Sequence, residues 1–282
     1  MIEDLELRVV EDFADRLFHH DEGKLLGSGI VRLVRIQSDD PRLCKISSIR
    51  KQIDGECGRA FFHGWEILRR YSREEIKTAS LFHWKITSIF EPAGEECGTA
   101  YDESSACPRC GAGAKQTSPL FLDVKRIPKS KDVCRTIAGE IVVSRRAAEL
   151  FSRHEITGAE LVPIRSKGAT SAESEDWFQL KVLKSEAEII SPTRVGIDPF
   201  DEDEKGEYRC VLGDLIGLNL LSEISIASSS RGSADIICTS QFIGIRRGLL
   251  RPEQLILISP KLAKLIESEK LKGCGYEVAH LV

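Results

Sequence analysis

Three observations make an α+β fold with mixed sheets the architecture this sequence predicts. A strand–serine–helix–glycine–strand pattern occurs twice in the C-terminal half. Short runs of alternating apolar and charged residues are spread along the N-terminal half. A Cys-Pro-Arg-Cys-Gly turn separates the two kinds of text.

The repeat carries most of this expectation. Ile141-Val142-Val143 leads into Ser144, a helical stretch through Leu150, and Gly158, followed by Glu160-Leu161-Val162-Pro163-Ile164. Leu255-Ile256-Leu257-Ile258 leads into Ser259, a stretch through Leu265, and Gly273, followed by Tyr276 to Val282. The serine and the glycine are 14 positions apart in both copies. A serine hydroxyl accepts from a first-turn N–H, and a glycine takes the left-handed conformation that ends a helix. Pro260 at the first helical position strengthens the second copy. Residues 140–164 and 254–282 are thus expected to form two similar β-α-β units, too few for a solenoid.

In chain order, Leu5, Leu7 and Val9 alternate with charges as a strand does, and Phe13, Leu17 and Phe18 suit a short helix. Residues 30–36 read as a strand, 42–53 as a helix with Leu43, Ile46, Ile49, Arg50 and Ile53 on one stripe, and 61–67 as a strand. Ser72 to Glu75 is a capping box. Residues 81–90 are strand-like and lead into the cysteines. Trp177 to Leu183 and Ile224 to Ile226 read as strands. The small polar stretch 166–176, the acidic turn 198–204 and Ser228 to Ser233 read as loops. The expected organisation is an N-terminal α+β region, 1–130, carrying the cysteine turn at 97–113, and a C-terminal α+β region, 131–282, carrying the repeat.

The turn Cys107-Pro108-Arg109-Cys110-Gly111 brings two sulfurs to one ion while backbone N–H groups point at them, which is half of a tetrahedral zinc site. Cys97 lies ten positions ahead and is the expected third ligand. Cys210, in Tyr208-Arg209-Cys210-Val211-Leu212-Gly213-Asp214, is the expected fourth, one arm of a knuckle whose second ligand is lost. Cys44, Cys57, Cys134, His63 and His83 are the other candidates for that place. Four protein ligands close a site and make it structural, so the zinc is expected to staple the chain rather than to catalyse.

Composition narrows the function. The 282 residues carry a net charge of -4, which argues against binding nucleic acid through global electrostatics. Nine cysteines, an acidic N-terminus without a signal peptide and no apolar run of membrane length point to reduced thiols in a cytoplasmic protein with no membrane partner. The deaminase, zinc-protease, nucleophilic-serine and phosphate-loop motifs are missing. His19-His20, His63, His83 and His154 suit a helix end, strand positions and a helix surface. Asp198, Asp201 and Asp203 lack the spacing of a calcium loop and read as a solvated acidic turn that could face a basic partner. Arg32, Arg35, Arg42, Lys45, Arg50, Lys51, Arg69, Arg70 and Arg73 form the basic cluster on which a zinc-ribbon nucleic-acid reading rests.

Cys97-Gly98, Cys107-Pro108-Arg109-Cys110-Gly111 and the two Ser-to-Gly helical units together resemble a group of bacterial proteins, the double-CXXCG-motif proteins. Gly94 stands where the first motif of that group would place a cysteine. Some members are immunity partners of secreted toxins, so the resemblance implies a bacterial immunity protein that neutralises a toxin by direct contact. The expected function is therefore non-catalytic binding of a protein partner. The alternatives are a zinc-ribbon nucleic-acid binder and an enzyme whose site is dispersed along the chain.

Overall fold

The alternation at Leu5, Leu7 and Val9 folds as β1 (Ile2–Val10), with those three side chains buried. In this computed structural model, residues 1–27, 29–168, 172–183, 185–200, 209–210, 214–215 and 219–282 are described. The chain divides into two units, Met1–Thr78 with Gly196–Lys205, and Ala79–Val195 with Gly206–Val282. The boundary expected near residue 130 lies inside the second unit, so the cysteine turn and both copies of the repeat share one body. The fold as a whole is mixed α and β, mostly sheet with few helices.

The first unit continues through α1 (Glu11–Ala14), β2 (Lys24–Leu26), β3 (Val31–Gln37), α2 (Leu43–Cys57), β4 (Phe62–Arg70) and α3 (Arg73–Thr78). Its sheet is antiparallel in the order β2-β3-β1-β4. Ile46 and Ile53 on the apolar stripe of α2 pack with Leu5, Leu7, Val9, Val34, Ile36, Phe61 and Phe200. Gly58 ends α2 in the left-handed region, at φ 63°, and donates its N–H to the Asp54 carbonyl at 2.8 Å. The capping box forms: Glu75 N–H donates to Ser72 Oγ at 3.2 Å, and Ser72 N–H to Glu75 Oε2 at 2.7 Å.

The acidic turn is a correction. Asp198 is buried rather than solvated, forms an ion pair with Arg50 and accepts the Phe200 N–H at 2.9 Å. A carboxylate anchored by a guanidinium and a backbone donor does not stay in water. Asp201, Glu202, Asp203 and Glu204 lie outside the described residues.

The second unit contains β5 (Leu81–Ile86), β6 (Ile89–Phe90), β7 (Tyr101–Asp102), β8 (Lys115–Gln116), β9 (Phe121–Leu122), β10 (Val133–Thr136), β11 (Ile141–Ser144), α4 (Arg145–Arg153), β12 (Ala159–Ser166) and β13 (Glu173–Val182). It continues with β14 (Ser185–Ala187), β15 (Val195–Gly196, whose second residue belongs to the first unit), β16 (Asn219–Leu220), β17 (Ile224–Ile226), β18 (Ile236–Ile243), β19 (Glu253–Ile258), α5 (Pro260–Ser268) and β20 (Cys274–Leu281). The loop expected over 166–176 is shorter than predicted, because β12 runs through Ser166 and β13 begins at Glu173; residues 169–171 lie outside the described ones.

Two six-stranded sheets result, in the orders β6-β10-β11-β13-β12-β9 and β14-β18-β19-β5-β20-β17. In each, the four inner strands are antiparallel and the two outer ones run parallel to their neighbours. The strands on either side of each helix do not pair with one another. β13 separates β11 from β12, and β5 separates β19 from β20. The first sheet takes its inserted strand from the segment after the helical unit, the second from the start of the unit. After β13 the chain supplies the other sheet's edge strand β14, and after β5 it supplies the edge strand β6. The two sheets are thus interlocked by an exchange of segments.

The repeated serines and glycines sit at matching points of this design. Ser144 Oγ accepts the Ala147 N–H at 3.2 Å, and Ser259 Oγ accepts the Leu262 N–H at 3.3 Å. Glu155 and Lys270 then take left-handed backbone, φ 49° and 53°. Gly158 and Gly273 follow, and each presses on the other copy. A Cβ on Gly158 would lie 2.0 Å from the Ile236 carbonyl oxygen, and one on Gly273 would lie 2.1 Å from that of Val133. An aspartate completes each joint. Asp132 Oδ1 accepts from Ser144 Oγ at 3.2 Å while Oδ2 accepts the Lys272 N–H at 2.9 Å. Asp235 Oδ1 accepts from Ser259 Oγ at 2.6 Å while Oδ2 accepts the Thr157 N–H at 3.1 Å.

Candidate metal centre

Cys107 and Cys110 sit in the loop between β7 and β8, which pair through Tyr101 with Gln116 and Asp102 with Lys115. The loop folds as its sequence demands. Gly111 N–H donates to the Cys107 carbonyl at 2.8 Å, and Cys107 N–H donates to the Ala112 carbonyl at 2.7 Å. Gly111 has φ 81°, and a Cβ there would come within 2.7 Å of Arg246 Cβ, so only glycine fits. The chain returns past the loop after β18, where Arg246 N–H donates to the Cys110 carbonyl at 2.8 Å.

A second loop brings Cys210 to the same place. It is closed where Leu221 N–H donates to the Arg194 carbonyl at 2.9 Å. The sulfurs of Cys107, Cys110 and Cys210 all lie within 4.8 Å of one another, and all three residues are buried. Phe242 and Ile245 pack over them. Asp214 adjoins the group, with Oδ2 3.4 Å from Cys210 Sγ and 3.6 Å from Cys110 Sγ. Its other oxygen accepts the Phe242 N–H at 3.2 Å.

The electrostatics of Cys107 and Cys110 differ. The Cys110 and Arg109 N–H groups aimed at Cys107 hold that thiol below its ordinary range. Burial pushes the Cys110 thiol up to about 12. Three buried sulfurs at this spacing cannot all ionise unless a positive charge lies among them. Together they could hold a metal ion, and thiolates favour a soft or borderline one.

Cys97 is a correction. It is buried in a one-turn 3-10 helix, Glu95–Cys97, and it is not part of the cysteine group. Burial raises its thiol, opposed by the Asp123 N–H. The physical reason lies at Gly94, where a Cβ would fall 2.7 Å from both Glu140 Oε1 and Leu120 Cδ1. No side chain fits there, so the Gly94–Gly98 segment is a packed turn rather than a knuckle short of one cysteine. Of the other candidates, Cys44, Cys57 and His63 are exposed residues of the first unit. Cys134 is buried in β10, 3.4 Å from Ser88 Oγ, and His83 is buried in β5.

Asp214 is the residue sequence reasoning passed over. The available signal was its place four positions after Cys210 and next to Gly213. Tyr208, Val211, Leu212 and Gly213 lie outside the described residues.

A cavity of about 320 Å³ also opens in the second unit, with His83, Tyr101, Arg135, Glu140, Arg251 and Glu253 among its lining. Its charges are largely matched. Arg135 pairs with Glu253 at 2.5 Å and Arg251 with Glu95 at 2.7 Å. Arg251 stacks 4.0 Å from the Tyr101 ring centre. The Tyr101 hydroxyl donates to Glu140 Oε1 at 2.7 Å; burial and then that carboxylate hold it protonated well above the ordinary phenol range.

A scan of family models finds none that matches the chain, and a search of curated proteins finds no match either. No helix among the described residues is long and apolar enough to cross a membrane.

Proposed function

We propose that this protein works by binding a protein partner, without catalysing a reaction, and that a structural zinc ion at Cys107, Cys110 and Cys210 holds the binding fold together. The carrying observation is the buried thiol group, packed beneath Phe242 and Ile245 and joined by a carboxylate. Such a closed environment suits a staple, because a catalytic zinc needs a position open to substrate. In this reading the turn at 97–113 is a zinc knuckle reduced to Cys107 and Cys110, and the strand–helix–strand copies are two β-α-β units opened by an inserted strand. The partner implied by the likeness to double-CXXCG-motif proteins is a toxin, met in the cytoplasm of a bacterium.

The charge pattern supports a protein partner over nucleic acid. Arg32 pairs with Glu11 at 2.8 Å, Arg35 with Glu6 at 2.7 Å, Arg42 with Glu22 at 2.7 Å, Arg69 with Glu3 at 2.8 Å and Arg70 with Asp4 at 2.6 Å. Arg50 pairs with Asp198. Guanidiniums already bound to carboxylates release few counterions from a phosphate backbone. The test is to identify a toxin encoded beside this chain's gene and titrate it with the purified protein. The expected result is a tight 1:1 complex that abolishes toxicity, stable to moderate salt. No complex and no protection would sink the immunity reading.

The polar cavity favours a second reading, an enzyme with a dispersed site. A small molecule that raises the thermal midpoint in wild-type protein but not in Arg251→Ala or Glu140→Gln would support it.

A further inference from the structure

We infer that Asp214 is the fourth ligand of the metal centre, which makes it a Cys3Asp site with two ligands from the loop between β7 and β8 and two from the loop between β15 and β16. The inference rests on the zinc reading and names the residue that completes it. In a tetrahedron with metal–sulfur bonds of about 2.3 Å and a metal–oxygen bond of about 2.0 Å, sulfur and oxygen ligands stand about 3.5 Å apart. Asp214 Oδ2 stands 3.4 and 3.6 Å from Cys210 Sγ and Cys110 Sγ, but it is not among the atoms that all lie within 4.8 Å of one another, so the carboxylate has to swing toward Cys107 Sγ to close the tetrahedron. The Phe242 N–H fixes the opposite oxygen at 3.2 Å, the kind of outer contact that orients a ligating carboxylate. Asp214 is buried, and among the described residues its side chain accepts from two thiols and one N–H. A carboxylate so placed is stabilised by a cation among those sulfurs.

The repeat points to the same pairing. Cys210 follows Cys107 by 103 positions. Ile224 at the start of β17 follows Phe121 at the start of β9 by the same 103, as Asp235 follows Asp132 and Ile236 follows Val133. In that frame Cys210 is the counterpart of Cys107, and Gly213 occupies the place of Cys110. A glycine stands where the first loop has its second cysteine, and Asp214 is the residue after it. The donor set remains two plus two. On binding, each thiol gives its proton to solvent as its sulfur–metal bond forms.

Cobalt(II) reports this directly, since each thiolate adds a near-ultraviolet charge-transfer band and tetrahedral geometry gives visible absorption. The full chain, stripped of metal, is titrated with cobalt(II) and then with zinc. Wild type is expected to bind one ion with the intensity of three thiolates. Asp214→Ala should weaken binding by at least about tenfold, the lower range for losing even an outer partner. Asp214→Cys should bind one ion with the charge-transfer intensity raised by about a third, from three thiolates to four. Cys97→Ser should match wild type. Asp214→Ala with unchanged affinity and spectrum, or Asp214→Cys with unchanged intensity, overturns the assignment of Asp214. Loss of a thiolate band in Cys97→Ser overturns it as well. A wild-type chain that shows no thiolate–cobalt band fails one step earlier and overturns the metal reading itself.

Discussion

Around α4 and around α5 the chain makes the same series of contacts, but the loops that lead into the two copies differ. Both helices start on a serine cap, both end through a left-handed residue and a crowded glycine, and both are tied by an aspartate whose second oxygen reaches the other copy. In the loops, Cys107 and Cys110 face Cys210 and Asp214. The contrast separates two kinds of constraint. Backbone joints admit one residue type because a carbonyl 2 Å away leaves no room for a Cβ. A metal-ligand position would admit any side chain that delivers a suitable donor to the right point, and the proposed role of Asp214 draws on that tolerance.

The largest expected effect comes from breaking the loops. If the ion is present at a thousandfold above its dissociation constant, it contributes about 4 kcal/mol. A strong chelator should therefore lower the thermal midpoint by roughly 10 °C, at 2–4 °C per kcal/mol. Cys107→Ser and Cys210→Ser should each reproduce that drop and abolish the chelator's effect. A much smaller loss in Cys210→Ser would mean that the first loop holds the ion alone.

Next come the crowded glycines. Gly158→Ala and Gly273→Ala each place a Cβ about 2 Å from a carbonyl oxygen at positive φ, and each should cost at least ~3 kcal/mol in urea unfolding. Near-equal losses would support mechanical equivalence of the two joints. One tolerated substitution would show that the copies have diverged in their backbones too.

The aspartate joints follow. Burial raises Asp235, but the Ser259 hydroxyl, the Thr157 N–H and Lys261 outweigh it and hold the carboxyl below its ordinary value. A depressed folded pKa stabilises the protein fully above the unfolded value, about 3.9, and that stability is lost as pH falls through the lower folded value. Asp235→Asn should cost about 2 kcal/mol at neutral pH, and the deficit should shrink below pH ~4. A constant deficit across that range would mean that the carboxylate's charge plays no part. Smallest are the caps: Ser144→Ala and Ser259→Ala should each cost ~1 kcal/mol, measured by the same denaturation curves.

Much of this was legible in the chain. The serine-to-glycine spacing located both helices, because capping and left-handed termini are local demands. The alternation at Leu5, Leu7 and Val9 located a strand, and Cys107-Pro108-Arg109-Cys110-Gly111 located a turn that holds two sulfurs together. Cys97 misled because a cysteine before a glycine looks the same whether its turn is a knuckle or is packed under Leu120 and Glu140. The acidic turn misled because the partner of Asp198, Arg50, lies far along the sequence.

By itself, then, the sequence determined the local pieces: caps, turns, amphipathic faces and the repeat that joins them. The tertiary structure decided what those pieces meet. It placed β5 between β19 and β20 and β13 between β11 and β12. It set Gly273 against Val133 and Gly158 against Ile236. It also brought Cys210 and Asp214 to Cys107 and Cys110 across a hundred residues of chain. Local preferences act over a few residues and leave their mark in spacing. Pairings between distant strands and the convergence of distant side chains are set by packing of the whole unit, and no short stretch of sequence records them.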